Sequence, residues 1–138
     1  MAKDIFHEAV KVALQKEGWT ITHDPLMLEA FGTQIYVDLG AEQVIAAQRN
    51  TELIAVEIKS FLGNSYVYDF YQALGQYVAY LRALKLSEPE RTLILAVPLK
   101  AYKGFFTKPD VQASLRDFNL NILVYDNKKE IIVHWFYV

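Results

Sequence analysis

The run Leu53-Ile54-Ala55-Val56-Glu57-Ile58-Lys59-Ser60 holds an acid and a lysine inside an otherwise apolar strand. Side chains of a strand alternate between faces, so Glu57 and Lys59 share one face and Val56 and Ile58 the other. A strand this apolar belongs in the middle of a sheet, where two charges on an inner face are costly unless they pair or perform chemistry. Asp38 ends an earlier strand, Ile35-Tyr36-Val37-Asp38-Leu39-Gly40, about twenty positions upstream. With both strands in one sheet, the two carboxylates converge at its edge. Carboxylate oxygens together with the Ile58 carbonyl suit a hard cation, Mg²⁺ or Mn²⁺, that keeps several waters. Lys59 beside one of those waters orients the nucleophile and stabilises charge in a phosphorane-like transition state. Each piece also has a plainer reading. Glu57 and Lys59 make a same-face ion pair on a solvated strand, and Asp38 makes a turn before Leu39-Gly40. Chemistry is favoured by their order: an acid ends one strand, a hairpin follows, Glu-x-Lys occupies an apolar strand, and a helix comes next.

Working outward from that strand, Arg49-Asn50-Thr51-Glu52 reads as the hairpin turn leading into it. Strands are expected over about Gln34–Leu39 and Gln43–Gln48, and another over Trp19–His23, with a loop around Asp24-Pro25. A first helix covers about Asp4–Glu17, with Ile5, Ala9, Val12, Ala13 and Lys16 on one face and Gly18 as its stop. Downstream, Gly63-Asn64-Ser65 opens a long helix to about Leu84, with Ser65 as N-cap. Thr92–Val97 is nearly all apolar, as a strand covered on both faces is. A helix over Pro109–Phe118 and two closing strands, Asn121–Tyr125 and Glu130–Tyr137, complete the pattern, the strands joined by Asp126-Asn127-Lys128-Lys129. Helix, strands, helix, strand, helix, strands is an α/β order with a mixed sheet flanked by helices.

The chain of 138 residues has no repeat and no linker, so a single domain over 1–138 is expected. It is 53% hydrophobic and 14% aromatic, which excludes disorder. No apolar run approaches the roughly 20 residues that span a bilayer, so no membrane association is expected. The sequence starts without an apolar signal core and lacks cysteine, which makes a cytoplasmic protein the expectation and removes thiolate zinc sites and cysteine nucleophiles. A net charge of −2 argues against a protein that coats DNA, but not against a nuclease whose cations are local.

The order around Asp38, Glu57 and Lys59 resembles the PD-(D/E)XK, or restriction-endonuclease-like, nuclease core, whose pattern is α-β-β-β-α-β. Here that core would carry an extra C-terminal helix and strands. Asp38 matches the first acid and Glu57 and Lys59 the (D/E)XK, while Val37 stands where the family name has proline. The resemblance implies divalent-metal catalysis on DNA, with Asp38, Glu57 and Ile58 as metal ligands. It adds Glu8, in the first helix, where many members carry an acid facing the site; a solvated residue is the plainer reading. Gln76 and Tyr80, four apart on the second helix, resemble the Gln-x-x-x-Tyr element of the RecB-like branch, and Gln72 extends the stripe. A glutamine such as Gln76 would bond a phosphate or steady the lysine; a tyrosine packed in the core with its hydroxyl satisfied explains Tyr80 equally.

A narrower resemblance covers essentially the whole length. Met1-Ala2-Lys3-Asp4-Ile5-Phe6-His7-Glu8-Ala9-Val10, Trp19-Thr20-Ile21-Thr22-His23-Asp24-Pro25-Leu26, Ala55-Val56-Glu57-Ile58-Lys59-Ser60-Phe61, Ala73-Leu74-Gly75-Gln76-Tyr77 and Leu95-Ala96-Val97-Pro98 are similar to the XisH family. That family is named for controlling excision of the fdxN element, a programmed DNA rearrangement in heterocyst-forming cyanobacteria, and its members are often encoded beside a small companion, XisI. The resemblance implies a role in excision or its control. Two functions follow: a Mg²⁺- or Mn²⁺-dependent DNA endonuclease, or a catalytically silent nuclease-fold module that regulates a recombinase through an XisI-like companion.

Remaining candidates are weaker. His7, His23 and His134 lack zinc-ligand spacing, although His7 stands beside Glu8. Lys100, Lys103, Lys108, Arg116, Lys128 and Lys129, interleaved with Tyr102, Phe105 and Phe106, read either as a nucleic-acid backbone contact or as a solvated face. Ile131–Val138 is apolar on both strand faces, which calls for a covering helix or another chain, and a homodimer or a complex with an XisI-like companion is the expectation.

Overall fold

Leu93, Ile94, Leu95, Ala96 and Val97 are all buried, and the strand they form lies inside a sheet with helices on both faces. The computed structural model describes residues 3–45 and 50–138. The described elements run α1 (His7–Lys16), β1 (Thr20–His23), β2 (Leu26–Ala30), β3 (Thr33–Val37), β4 (Leu39–Ile45), β5 (Asn50–Ile58), α2 (Tyr66–Ser87) and β6 (Thr92–Pro98). Then come α3 (Leu99–Ala101), continuing as a π-helical turn Tyr102–Phe106, α4 (Pro109–Asp117), β7 (Ile122–Asp126) and β8 (Ile131–Phe136). Six strands form one mixed sheet in the order β1-β4-β5-β6-β7-β8, with β5, β6 and β7 parallel and the outer pairs antiparallel. The fold is mixed α/β.

Alternation along β5 divides two cores. Ile54, Val56 and Ile58 pack with Val10 and Leu14 of α1, Ile94 and Ala96 of β6, and Tyr125. Ala55, on the other face, belongs with Phe70, Ala73 and Tyr77 of α2 and Phe105 and Phe106 of the π-helical turn. Ser65 caps α2 by accepting from the Tyr68 N–H at 3.3 Å, as its position predicts. The buried Tyr77 hydroxyl donates to the Leu93 carbonyl at 3.0 Å and accepts from the Asn121 N–H at 3.1 Å, tying α2 across the start of β6 to β7. At the same end Arg91, also buried, donates to the carbonyls of Ile54 (3.0 Å) and Ala41 (3.4 Å) and pairs with Glu88.

Several expectations need correction. Leu26–Ala30 is a strand, not part of a loop: Leu26, Leu28 and Ala30 are buried and alternate with exposed residues. It forms a separate two-stranded sheet with β3 across Phe31-Gly32, both at positive φ (53° and 71°), the geometry of a tight hairpin. The chain bends at Asp38, so the expected strand Gln34–Leu39 breaks there, and β4 starts at Leu39 rather than at Gln43. Gln48 at the end of the expected third strand, and Arg49 opening the expected turn, lie outside the described residues. On α1 the buried side chains are His7, Val10, Ala13 and Leu14, a stripe rotated from the expected one, and Ile5 lies before the helix, exposed. Leu99–Phe106 is helical where no element was expected. Phe105 and Phe106 are buried, and Tyr102 stacks between Phe106 and Phe136, so these aromatics are core and do not face a nucleic acid.

β8 is an edge strand. Trp135 packs on Trp19, and its indole N–H donates to Glu17 at the end of α1 (3.1 Å). Ile132, Trp135 and Phe136 are partly covered from within the chain, while Ile131, Val133, Tyr137 and Val138 stay exposed.

Candidate functional site

Asp38 lies at the bend between β3 and β4, and the first rung of the β4–β5 ladder pairs Leu39 with Val56. Since β4 runs antiparallel to β5, the start of one meets the end of the other. This is why residues nineteen and twenty positions apart in sequence come together: the Asp38 Oδ2 accepts the Ile58 N–H at 2.7 Å, and the Asp38 N–H points at Glu57 Oε1 at 3.4 Å. Both acids are buried, each with 6% of its surface exposed. Lys59, on the same strand face as Glu57, brings its Nζ to 3.4 Å from Glu57 Oε2 and is partly exposed.

Burial, then the neighbouring Asp38 charge, push the Glu57 carboxyl up to about 8, with Lys59 opposing but not cancelling them. Two carboxylates that repel in a dry site form a donor set that a divalent cation relieves. Metal, carboxylate and lysine chemistry therefore fits the residues present.

Two tyrosines border this group. Tyr80 of α2 is half-buried; burial first, then the charges of Glu57 and Asp38, raise its hydroxyl pKa above the ordinary value. Tyr125 of β7 is buried and donates its hydroxyl to the Lys59 carbonyl at 3.0 Å, fixing the backbone that carries the lysine. The Lys59 N–H donates to the Ala96 carbonyl at 3.0 Å, so this residue is held from both sides. A hydroxyl ending an apolar run is the one faint signal of Tyr125 along the chain.

Gln76 and Gln72 are exposed on α2, and Gln76 lies one turn before Tyr80, which borders the acid pair. Ile58 buries its side chain against α1 and enters the site only through its backbone. Glu8 is exposed, 3.9 Å from Lys3, and groups with His7 and Asp24 instead of with Asp38 and Glu57. His7 is buried, not a surface or capping residue: its Nε2 lies 2.7 Å from Asp24 Oδ1, and Lys11 reaches the other Asp24 oxygen at 2.8 Å. Burial would raise the Asp24 carboxyl, but Lys11 and His7 outweigh it and hold it below the usual range. Lys11 and the His7 imidazole thus already occupy both Asp24 oxygens, while the other His7 ring nitrogen, Nδ1, is buried without a hydrogen-bond partner among the described residues.

No helix among the described residues is long and apolar enough to cross a membrane. A search of curated proteins gives no match. Two crystal structures are similar over nearly their whole length. An XisH family protein from Nostoc punctiforme PCC 73102 is 41% identical, with 96% of this chain and 99% of that one covered and a TM-score of 0.86. An fdxN element excision controlling factor protein from Anabaena variabilis is 42% identical, with coverage of 96% and 98% and a TM-score of 0.85. The model of the family described as XisH protein matches residues 1–133, and the chain belongs to the XisH family.

Proposed function

We propose that this protein is an fdxN-type excision controlling factor that acts as a divalent-metal-dependent DNA endonuclease of the PD-(D/E)XK class. The name of the Anabaena variabilis relative supports the role in excision. The observation that carries the chemistry is the buried Asp38–Glu57 pair with Lys59 at 3.4 Å. Asp38 and Glu57 would hold Mg²⁺ or Mn²⁺. The Ile58 carbonyl would join them, because N–H and C=O of one strand residue point the same way and the Ile58 N–H points at Asp38. When bound, the cation supplies Lewis-acid polarisation of the scissile phosphate and a water acidic enough to attack it. Lys59 would donate to the attacking water or to the developing phosphoryl charge, its backbone steadied by Tyr125.

The test is nicking of supercoiled and branched DNA in Mg²⁺ and Mn²⁺. Lys59→Ala should lose cleavage by a factor of hundreds, about 3–4 kcal/mol, while retaining metal and DNA binding. Lys59→Arg should not rescue it, since a planar guanidinium does not replace a compact ammonium. Absence of nicking by the wild type, with and without an XisI-like companion, refutes the enzyme.

A regulatory module is the second reading, and one surface favours it. Tyr68, Tyr71 and Val78 of α2 are 65%, 64% and 57% exposed and flank Gly75 on one helix face, the kind of apolar stripe that a protein partner covers. In that reading an XisI-like companion or a second copy binds there or on β8, and sedimentation alone and with the companion distinguishes them from a monomer.

A further inference from the structure

The parallel strands β5, β6 and β7 end side by side, and a cavity of about 740 Å³ opens over their carboxyl ends, lined by Ser60, Pro98 and Asp126 among others. Ligands of open α/β sheets sit at this edge. The volume falls within the 300–1,000 Å³ usual for small-molecule sites. It begins one residue beyond Lys59, yet none of Asp38, Glu57 or Lys59 lines it.

Its walls divide by chemistry. Half-buried Phe6 and Tyr66 supply aromatic surface, with Leu62, 63% exposed, as a further apolar side chain, and Phe61 is buried behind them against Phe106. Phe61 takes a positive φ of 52°, rare for a bulky side chain, at the point where the chain leaves β5. Tyr66 lies over Gly104, where a Cβ would come 3.1 Å from its ring. The opposite character comes from Lys100 and Lys103, before and within the π-helical turn, and Lys128, from the β7–β8 turn. All three are exposed, and none is ion-paired among the described residues. The carboxylate beside them, Asp126, is already committed to the N–H groups of Lys128 and Lys129 at 2.9 and 3.0 Å. In a chain of net charge −2, a concave site with three free ammonium groups and one engaged acid is complementary to an anion.

We propose that this cavity binds a nucleoside phosphate, its base against Tyr66 and its phosphate toward Lys100, Lys103 and Lys128. Aromatic faces with local cations are how sequence-tolerant single-strand sites are built. The identification rests on the DNA reading of the neighbouring acid site and deepens it: the strand entering that site would leave one unpaired nucleotide here.

The test is fluorescence anisotropy of a labelled single-stranded oligonucleotide in EDTA, so that binding is read without cleavage. Lys100→Glu, Lys103→Glu and Lys128→Glu should each weaken binding about tenfold and lower the salt slope by about one. Lys108→Glu, an exposed control outside the cavity, should change it less than about twofold. Tyr66→Ala should lose about five-fold or more, and Tyr66→Phe should retain binding, because stacking needs the ring and not the hydroxyl. Displacement by a free deoxynucleoside monophosphate assigns the site to free nucleotide as well as strand; no displacement assigns it to the strand alone. Equal losses in Lys108→Glu and the cavity variants, silence of Tyr66→Ala, or no binding of either probe overturns the proposal. Cavity-dependent binding without nicking removes the enzyme and leaves the cavity standing; nicking indifferent to the three lysines does the reverse.

Discussion

Replacing Glu57 by glutamine tests the metal-free state of the acid pair directly. In the folded protein the Glu57 carboxyl is pushed up from 4.5 to about 8, chiefly by burial and by Asp38. A raised carboxyl means that the folded state holds a proton the unfolded chain has released. The stabilisation is complete below about pH 4.5 and disappears as pH rises through about 8. At 1.36 kcal/mol per pH unit the full window is worth about 5 kcal/mol, and between pH 5.5 and 7.5 the loss is about 2–3 kcal/mol. For a chain of this length that is a fall in Tm of about 8 °C. Glu57→Gln mimics the protonated acid at every pH, so in EDTA its Tm should lack this part of the decline. By pH 8.5 the variant should be the more stable protein, although it has lost an ion pair with Lys59. Differential scanning calorimetry of both proteins from pH 5 to 9 gives the difference curve, in which groups common to the two cancel. Parallel curves would refute the reasoning, since they would mean that Glu57 is ionised throughout and that neither burial nor Asp38 disfavours its charge.

Two further outcomes follow from the geometry. Mn²⁺ at about one hundred times its dissociation constant should stabilise the wild type by about 2.7 kcal/mol, and Asp38→Asn and Glu57→Gln should each lose that shift in a thermal melt; equal shifts in all three proteins would exclude the site. Gly75→Ala should raise Tm by about 2–4 °C, because Gly75 lies mid-helix with open space where a Cβ would go, and alanine removes the backbone-entropy cost of glycine; a fall in Tm in the isolated chain would contradict this.

How the acid site forms shows where sequence and tertiary structure divide. The period-two alternation of Ala55–Lys59 was enough to put Glu57 and Lys59 on one face, because that consequence is local to a strand. Asp38 was legible as a partner from its place at the end of a strand about twenty positions upstream of Glu57. Its actual placement was not, because the bend at Asp38 separates a small hairpin from the main sheet. Ser65 as the cap of α2 and the both-face burial of Thr92–Val97 were likewise local matters of capping and composition. The strand Leu26–Ala30, and with it the hairpin, was missed because the turn Phe31-Gly32 uses positive φ at a phenylalanine, a choice that propensity disfavours.

By itself, then, the sequence determined the α/β class, the order of most elements, the shared face of Glu57 and Lys59 and the resemblance to the XisH family, since each depends on neighbours along the chain. Only the tertiary structure decided which charges meet. It drew Asp38 to the Ile58 N–H and took Glu8 to Lys3, His7 and Asp24. It buried the aromatics of Tyr102–Phe106 and brought Lys100, Lys103 and Lys128 around one cavity. Those outcomes depend on strand order and on which helix covers which face, and burial energy over the whole domain, not local periodicity, selects them.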